Sequence, residues 1–216
     1  MLKKIKQSKS EKALLLFVII LGIISLLSFI TIKNKCLFVE KVNLNKLALN
    51  NTDNIVILNV PCGNVVIELL PSISPNSVER FKTLIKKKMY DGSAFYKVVE
   101  NTLVQAGDIE FGNIEYLDYS KIGSGKSGLG LLKSELSDNF EFTEGSIGFA
   151  RSTEFDSEDS EFFITLKEIP IYQGEYTPIG KVKYGLDIIK KIKTGNKAIY
   201  VLRPDYINTF RMLETN

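Results

Sequence analysis

Residues 90–108 read YDGSAFYKVVENTLVQAGD, and this stretch carries the pattern that decides the fold. It contains two short β-type runs, 94–99 and 103–106, which are separated by the polar residues 100–102. Runs of the same kind recur later, at 146–150, 162–166 and 177–182. Many short strands separated by turn signals, with few helices, predict a closed antiparallel barrel or a sandwich.

The segment before this stretch predicts a hairpin and a helix. Two β-branched runs, IVILNV and VVIELL, flank the turn 61–64 and indicate paired strands. A helix is expected over 74–88, with Ser74 as N-cap candidate, Pro75 at the first helical position and an apolar face of Val78, Phe81, Leu84 and Ile85. A second helix is predicted over 186–192, with Leu186, Ile189 and Ile192 directed inward.

The N-terminus has a different character. Residues 13–32, ALLLFVIILGIISLLSFITI, are uncharged and long enough to span a bilayer as a helix. The tail 1–12 carries five lysines against one glutamate, which predicts that it stays in the cytoplasm and that the later chain lies outside it, in the periplasm if the cell is bacterial. A cleaved signal peptide is the alternative, but the apolar run exceeds the usual length and no small-x-small site follows.

Composition excludes several kinds of site. The 216 residues include no histidine and only two cysteines, which argues against His-based catalysis, the usual zinc sites, a metal or another cofactor. The net charge is +3, and the lysines of 86–88 and 190–193 are interleaved with acids, so no nucleic-acid surface is expected. A disulfide between Cys36 and Cys62 is left open.

Three ordered motifs resemble those of cyclophilins, the peptidyl-prolyl isomerases of that family. They are 90–108, the pair 132–136 and 145–151 (LKSEL and GSIGFAR), and 159–165 (DSEFFIT), completed by IGKV and GLD at 179–187. The resemblance covers about 54–195, with 33–53 as a linker and 196–216 as an extension without an assigned role. It implies a mainly β fold, an eight-stranded antiparallel barrel capped by two helices.

The resemblance also implies a site. Lys97 and Gln105 take the catalytic positions. Contacts to the peptide and its proline are assigned to Phe95, Thr102, Leu103, Ala150, Glu161, Phe163, Tyr172, Tyr176 and Ile179. The chain departs from the family at several of these positions: Lys97 replaces an arginine, Thr102 a pocket phenylalanine, Leu103 a methionine and Glu161 a glutamine, and Tyr172 and Tyr176 stand on a rim where many members carry tryptophan, leucine and histidine. A lysine keeps the charge but lacks the planar donor fork of arginine.

The sequence therefore predicts a membrane-anchored isomerase of X-Pro bonds that assists protein folding outside the cytoplasm, with reduced activity. Its partners would be proline-containing polypeptides and, through 13–32, membrane lipid. The alternatives are a weak or inactive peptide-binding module of a membrane-associated complex, and a purely architectural domain. Leu103, Phe163 and Ile179 also fit a simple core role.

Overall fold

The computed structural model describes residues 8–33, 35–47, 52–195 and 200–213, and it forms two compact units, Met1–Phe38 and Val39–Asn216. The first unit contains helix α1 (Lys9–Lys33). The most apolar window of α1 has a mean hydropathy of 3.0 and none of it is buried. Its length and composition suit a membrane crossing, and a signal sequence near an N-terminus meets the same criteria.

The second unit is built on an eight-stranded sheet in the order β3-β4-β6-β5-β7-β2-β1-β8, with every neighbouring pair antiparallel. The predicted fold class is therefore confirmed. The strands are β1 (Ile55–Val60), β2 (Gly63–Leu69), β3 (Lys97–Val99), β4 (Leu103–Ala106), β5 (Ser146–Phe149), β6 (Phe162–Thr165), β7 (Pro178–Tyr184) and β8 (Thr209–Met212). The helices of this unit are α2 (Pro75–Lys86) and α3 (Leu186–Ile189), with single 3-10 turns at Leu44–Lys46, Thr52–Asn54 and Pro170–Tyr172.

The two ends of the sheet are joined by irregular pairing. Isolated bridges link Ala94 to Tyr206 and Lys97 to Tyr200. Backbone hydrogen bonds from Phe95 N to Asp205 O and from Val201 N to Tyr96 O, both 2.9 Å, strengthen this seam. The segment 200–207 thus ties the region before β3 to the region before β8, and the sheet extends well past the boundary expected at residue 195.

Helix α2 covers the aromatic core. Its buried face includes Val78, Phe81, Leu84 and Ile85, as the spacing predicted. The Phe81 ring lies at the centre of a group of aromatic rings. Its centroid is 5.2–5.9 Å from the centroids of Tyr90, Phe149, Phe162 and Phe210. Edge-to-face contacts of this kind add to the large apolar area that such rings bury.

The helix ends differ from expectation. Ser74 is the N-cap residue of α2, but its hydroxyl donates to the Pro178 carbonyl and accepts from no amide of the helix. The Glu135 carboxylate accepts from the amides of Asn76 and Ser77 instead, at 3.1 and 2.8 Å, so a distant loop caps the helix. Helix α3 makes only one turn, so Ile188 is buried beside Ile189 and Ile192 while Leu186 is only half-buried.

A glycine-rich loop, 123–130, is held against the domain by two buried aspartates. Asp108 accepts from the amides of Gly123 and Gly125, at 2.6 and 3.2 Å. Asp159 accepts from the Ser127 amide at 2.6 Å and forms an ion pair with Arg80 at 2.8 Å. This loop forms one wall of the candidate site. Neither cysteine of the chain is a free thiol.

Candidate functional site

The site begins with a row of side chains across three strands. Lys97 on β3 is the register partner of Gln105 on β4, and Gln105 is the partner of Phe163 on β6. Residues paired directly across antiparallel strands project from the same face and have neighbouring Cβ atoms. The fold therefore places a cation, an amide and an aromatic ring side by side.

An apolar cluster surrounds the Phe163 end of the row. It consists of the buried residues Leu103, Phe142, Phe163 and Ile169, and partly buried Val99, Phe140, Ala150, Tyr172 and Tyr176 pack against them. The Phe163 ring lies 5.3 Å from both Tyr172 and Tyr176, centroid to centroid, and 5.7 Å from Phe142. The half-buried rings of Tyr172 and Tyr176 give this cluster an apolar surface that suits a small apolar group such as a proline ring.

A polar cavity of about 400 Å³ adjoins this cluster through Ala150. Its lining includes Lys97, Gln105 and Glu161 from the sheet side, Lys126 from the glycine-rich loop, and Tyr200. The predicted residues Lys97, Gln105, Ala150, Glu161, Leu103, Phe163, Tyr172 and Tyr176 are thus brought together around one groove.

Gln105 is held by two neighbours. Its Nε2 donates to the Tyr96 hydroxyl at 2.6 Å and to Glu161 Oε2 at 2.8 Å, and the Tyr96 hydroxyl itself donates to Glu161 Oε2. Burial raises the pKa of the Glu161 carboxyl, while the hydrogen bonds from Tyr96 and Gln105 act to lower it. Burial and the neighbouring Glu161 raise the pKa of the Tyr96 phenol, which keeps its proton.

Three residues predicted to contact peptide are not among those that line the cavity or form the apolar cluster. Phe95 and Ile179 have fully buried side chains and are part of the hydrophobic core. Thr102 lies in the turn between β3 and β4, where its hydroxyl donates to the Glu100 carbonyl at 3.2 Å. A family motif predicts the register of the strands, but it does not predict which hydrogen bonds the side chain of a turn residue makes.

Two residues of the groove had no role predicted from the sequence. Phe142 lies in an irregular segment before β5 and joins the apolar cluster only through the tertiary fold. Arg151 lines the polar cavity, but its guanidinium pairs with Glu175 at 3.1 Å and donates to the carbonyls of Ser152 and Thr153. It also stacks on Phe155, 4.2 Å from the ring centroid. Its donors are therefore committed to its own loop and to Glu175.

The arrangement suits non-covalent chemistry on a peptide. It offers an apolar cluster beside an ammonium group and a fixed amide. Among the described residues, no group of three or more His, Cys, Asp and Glu side chains could hold a metal ion.

Comparison with known proteins places this geometry in context. Residues 55–211 match the family model for "Cyclophilin type peptidyl-prolyl cis-trans isomerase/CLD". A "Probable peptidyl-prolyl cis-trans isomerase" of Brucella suis biovar 1 (strain 1330) is 38% identical over 147 residues, which are 68% of this chain and 74% of the relative. A "Peptidyl-prolyl cis-trans isomerase" of Acinetobacter baylyi is 30% identical over 158 residues, or 71% and 78% of the two chains.

Solved structures show the same fold. A cyclophilin from Hirschia baltica superposes with a TM-score of 0.63 at 21% identity, covering 75% of this chain and 74% of that one. A Cryptosporidium parvum cyclophilin type isomerase, crystallised in the presence of the dipeptide Ala-Pro, gives 0.64 at 20% identity, covering 74% of this chain and 99% of that one.

Proposed function

Since the chain belongs to the cyclophilin-type peptidyl-prolyl cis-trans isomerase family, we propose that its X-Pro isomerisation takes place on the row Lys97, Gln105 and Phe163. The observation that carries this proposal is the strand register, in which Lys97 pairs with Gln105 and Gln105 pairs with Phe163 of the apolar cluster. The presence of Ala-Pro with the Cryptosporidium parvum relative supports proline-containing peptides as substrates.

The chemistry needs only differential binding. Amide resonance gives the X-Pro bond a rotation barrier of about 18–20 kcal/mol, and uncatalysed isomerisation takes tens to hundreds of seconds. A pocket that grips the proline ring, with donors directed at the twisted amide, stabilises the transition state more than the planar ground state. Each tenfold increase in rate requires that the transition state be stabilised by about 1.4 kcal/mol more than the ground state.

We further propose that turnover is reduced relative to family members with arginine at position 97. The ammonium of Lys97 is a mobile point charge, whereas a guanidinium presents a rigid planar fork of donors. Replacing arginine with lysine lowers the rate more in a catalyst that depends on the orientation of its donors than in one that depends on charge alone.

The Lys97→Arg variant tests the site. We expect kcat/KM for an Ala-Pro peptide, measured by exchange NMR on the purified full-length chain in detergent, to rise about tenfold. Lys183→Arg is the matched control, because Lys183 lies on β7 in an exposed ion pair with Glu68, outside the groove. Equal effects of the two substitutions, or a fall in activity with Lys97→Arg, would count against this site.

A binding module is the second candidate function, favoured by the same loss of arginine. In that case the wild-type chain binds Ala-Pro peptides and accelerates their isomerisation no more than buffer does, and the double substitution Lys97→Arg with Thr102→Phe creates turnover. Peptide-induced chemical shifts around Gln105 and Phe163 would distinguish this module from an architectural domain, which should show none.

We also propose that α1 anchors the domain outside the cytoplasm, where it assists the folding of exported polypeptides. Support comes from the uncharged 13–32 run and the five lysines that precede it. The test is fractionation of cells making the full chain, with intact mass of the recovered protein and a compartment-sensitive reporter fused after the last residue. Retention in the membrane with the reporter outside the cytoplasm is expected. A soluble product shortened at its N-terminus would show a cleaved signal peptide instead.

A further inference from the structure

The polar end of the groove contains one arrangement that the reaction alone does not explain. The side chains of Tyr96, Gln105 and Glu161 are mutually hydrogen-bonded, and Tyr96 is buried while the other two are half-buried. Glu161 stands where the family motif that this sequence resembles has a glutamine, so this chain has an acidic group at a position that is neutral in the motif. A charge in partly desolvated surroundings costs free energy unless hydrogen bonds or an opposite charge compensate for the lost water.

The chemistry of the three groups allows only one orientation of the amide. An ionised carboxylate only accepts hydrogen bonds, so Glu161 Oε2 can bond the nitrogen end of Gln105 but not its oxygen. The single hydroxyl proton of Tyr96 goes to the same carboxylate, which leaves the hydroxyl oxygen to accept from Gln105. Both Nε2 hydrogens are then used, and Oε1 becomes the outward end of the amide.

A glutamine at position 161 would not impose this choice. An amide can donate or accept, so two facing glutamines are satisfied in either of two flipped arrangements. The carboxylate removes this ambiguity and strengthens both bonds, because hydrogen bonds to an ionised group are roughly twice as strong as neutral ones. Other charged groups near Glu161 are Asp108, which opposes its ionisation, and Lys126, which favours it.

We propose that Tyr96 and Glu161 are positioning residues, which lock the Gln105 amide with Oε1 facing Lys97 and the bound peptide. Lys97 is the register partner of Gln105, so the presented oxygen lies on the face where the ammonium and the substrate meet. Glu161 then acts through Gln105 and is not itself a ligand for peptide. This inference rests on the proposed function for its catalytic meaning, although the amide orientation can be observed without turnover.

Side-chain NMR tests the orientation directly. The chain has three glutamines, Gln7, Gln105 and Gln173, so selective ¹⁵N-glutamine labelling of the full-length protein gives three NH₂ pairs, and Gln105→Ala identifies the relevant one. We expect that pair to be shifted downfield and slow to exchange, and to lose both properties in Glu161→Gln. An unchanged Gln105 pair in Glu161→Gln would overturn the proposal.

Kinetics test the coupling. We expect Glu161→Gln to lower kcat/KM about fivefold, mostly in kcat, and to have no effect in the Gln105→Ala background. Glu68→Gln on β2 is the matched control, because it removes a carboxylate outside the groove. Equal losses in both backgrounds would mean direct substrate contact by Glu161, and no loss in either would mean no role; both overturn the proposal. An inactive wild type would contradict the proposed function alone, and the NMR result would still decide the amide.

Discussion

At the scale of single residues, Glu158 shows how a buried acid affects stability without serving the groove. Its side chain is fully buried, Oε1 accepts from the Thr177 hydroxyl at 2.7 Å, and Oε2 is without a hydrogen-bond partner. Burial raises the pKa of this carboxyl above its ordinary value of 4.5, although the hydrogen bonds from Thr177 and Ser134 oppose the rise. The folded chain thus binds a proton that the unfolded chain releases at a lower pH.

The sign of the pH dependence follows from linkage. Between pH 4.5 and the raised pKa, the folded state binds more protons than the unfolded state, so the free energy of unfolding falls as pH rises. We expect Glu158→Gln, which retains an acceptor for Thr177, to remove this contribution. Denaturant melts of both proteins from pH 4 to 8 should show the wild type losing stability relative to the variant as pH increases. Parallel curves for the two proteins would contradict the prediction, and Glu68→Gln, at an exposed carboxylate, should remain parallel to the wild type.

Lys97, Gln105 and Phe163 could be found from sequence because strand alternation and motif register fix their face and their row. Phe142, Tyr96 and the orientation of Gln105 could not. Phe142 belongs to no helix or strand. The hydrogen bond between Tyr96 and Gln105 depends on the tertiary fold, which the periodicity of the sequence does not encode. Phe95 and Ile179 were predicted to contact peptide, and their full burial fits a core role. The sequence did not separate the two roles, because an apolar residue in a strand fits core and groove equally well.

At the scale of elements, the glycine-rich loop shows how a segment without regular structure becomes a fixed wall. Asp108 has a fully buried carboxylate that accepts from three backbone amides, those of Phe111, Gly123 and Gly125. Hydrogen bonds to charged groups each contribute about 1.5–3 kcal/mol. The loop is therefore held by side chains outside it, of which Asp108 accepts from two of its amides and Asp159 from a third.

Asp108→Asn should loosen this wall. An asparagine keeps one acceptor and places an NH₂ group where amides point, so we expect a loss of roughly 2 kcal/mol in the free energy of unfolding. Hydrogen exchange at Gly123 and Gly125 should accelerate by more than the global change requires. Asp118→Asn is the control, since the Asp118 carboxylate accepts from the amide and hydroxyl of Ser120 in an exposed turn. Equal exchange rates at the two glycines in wild type and variant would refute the assignment.

At the scale of the whole molecule, the C-terminal segment completes the domain. Phe210 on β8 is fully buried, and its ring lies 5.4 Å from that of Phe81 on α2. The strand pairs with β1 over four residues. The chain end thus joins the sheet and the helix in one core.

Phe210→Ala should therefore destabilise the fold strongly. We expect a loss of about 3–5 kcal/mol in the free energy of unfolding, because the substitution leaves a cavity among packed rings. Leu202→Ala is the matched control from the same segment, since Leu202 is 72% exposed and its loss should stay within about 0.5 kcal/mol. A small effect of Phe210→Ala in denaturant melts would show that the domain ends earlier.

This segment also marks the limit of what the sequence could show about the whole fold. The hairpin, α2 and the central strands have strong periodicity and were predicted at nearly their observed positions. Residues 200–213 contain a four-residue strand and isolated bridges, stabilised by partners more than 100 residues away. Such non-local pairing leaves little periodic pattern in the chain itself.

The seam formed by 92–97 and 200–207 has a consequence for self-association. A bare sheet edge presents a row of free amides and carbonyls, and any extended chain nearby can add to it as a new strand, which is a common route to aggregation. By pairing its own ends through Ala94, Lys97, Tyr200 and Tyr206, the domain occupies much of that row. Extended polypeptides that reach this molecule therefore meet side chains and a pocket, from which they can dissociate, rather than an open ladder that would retain them.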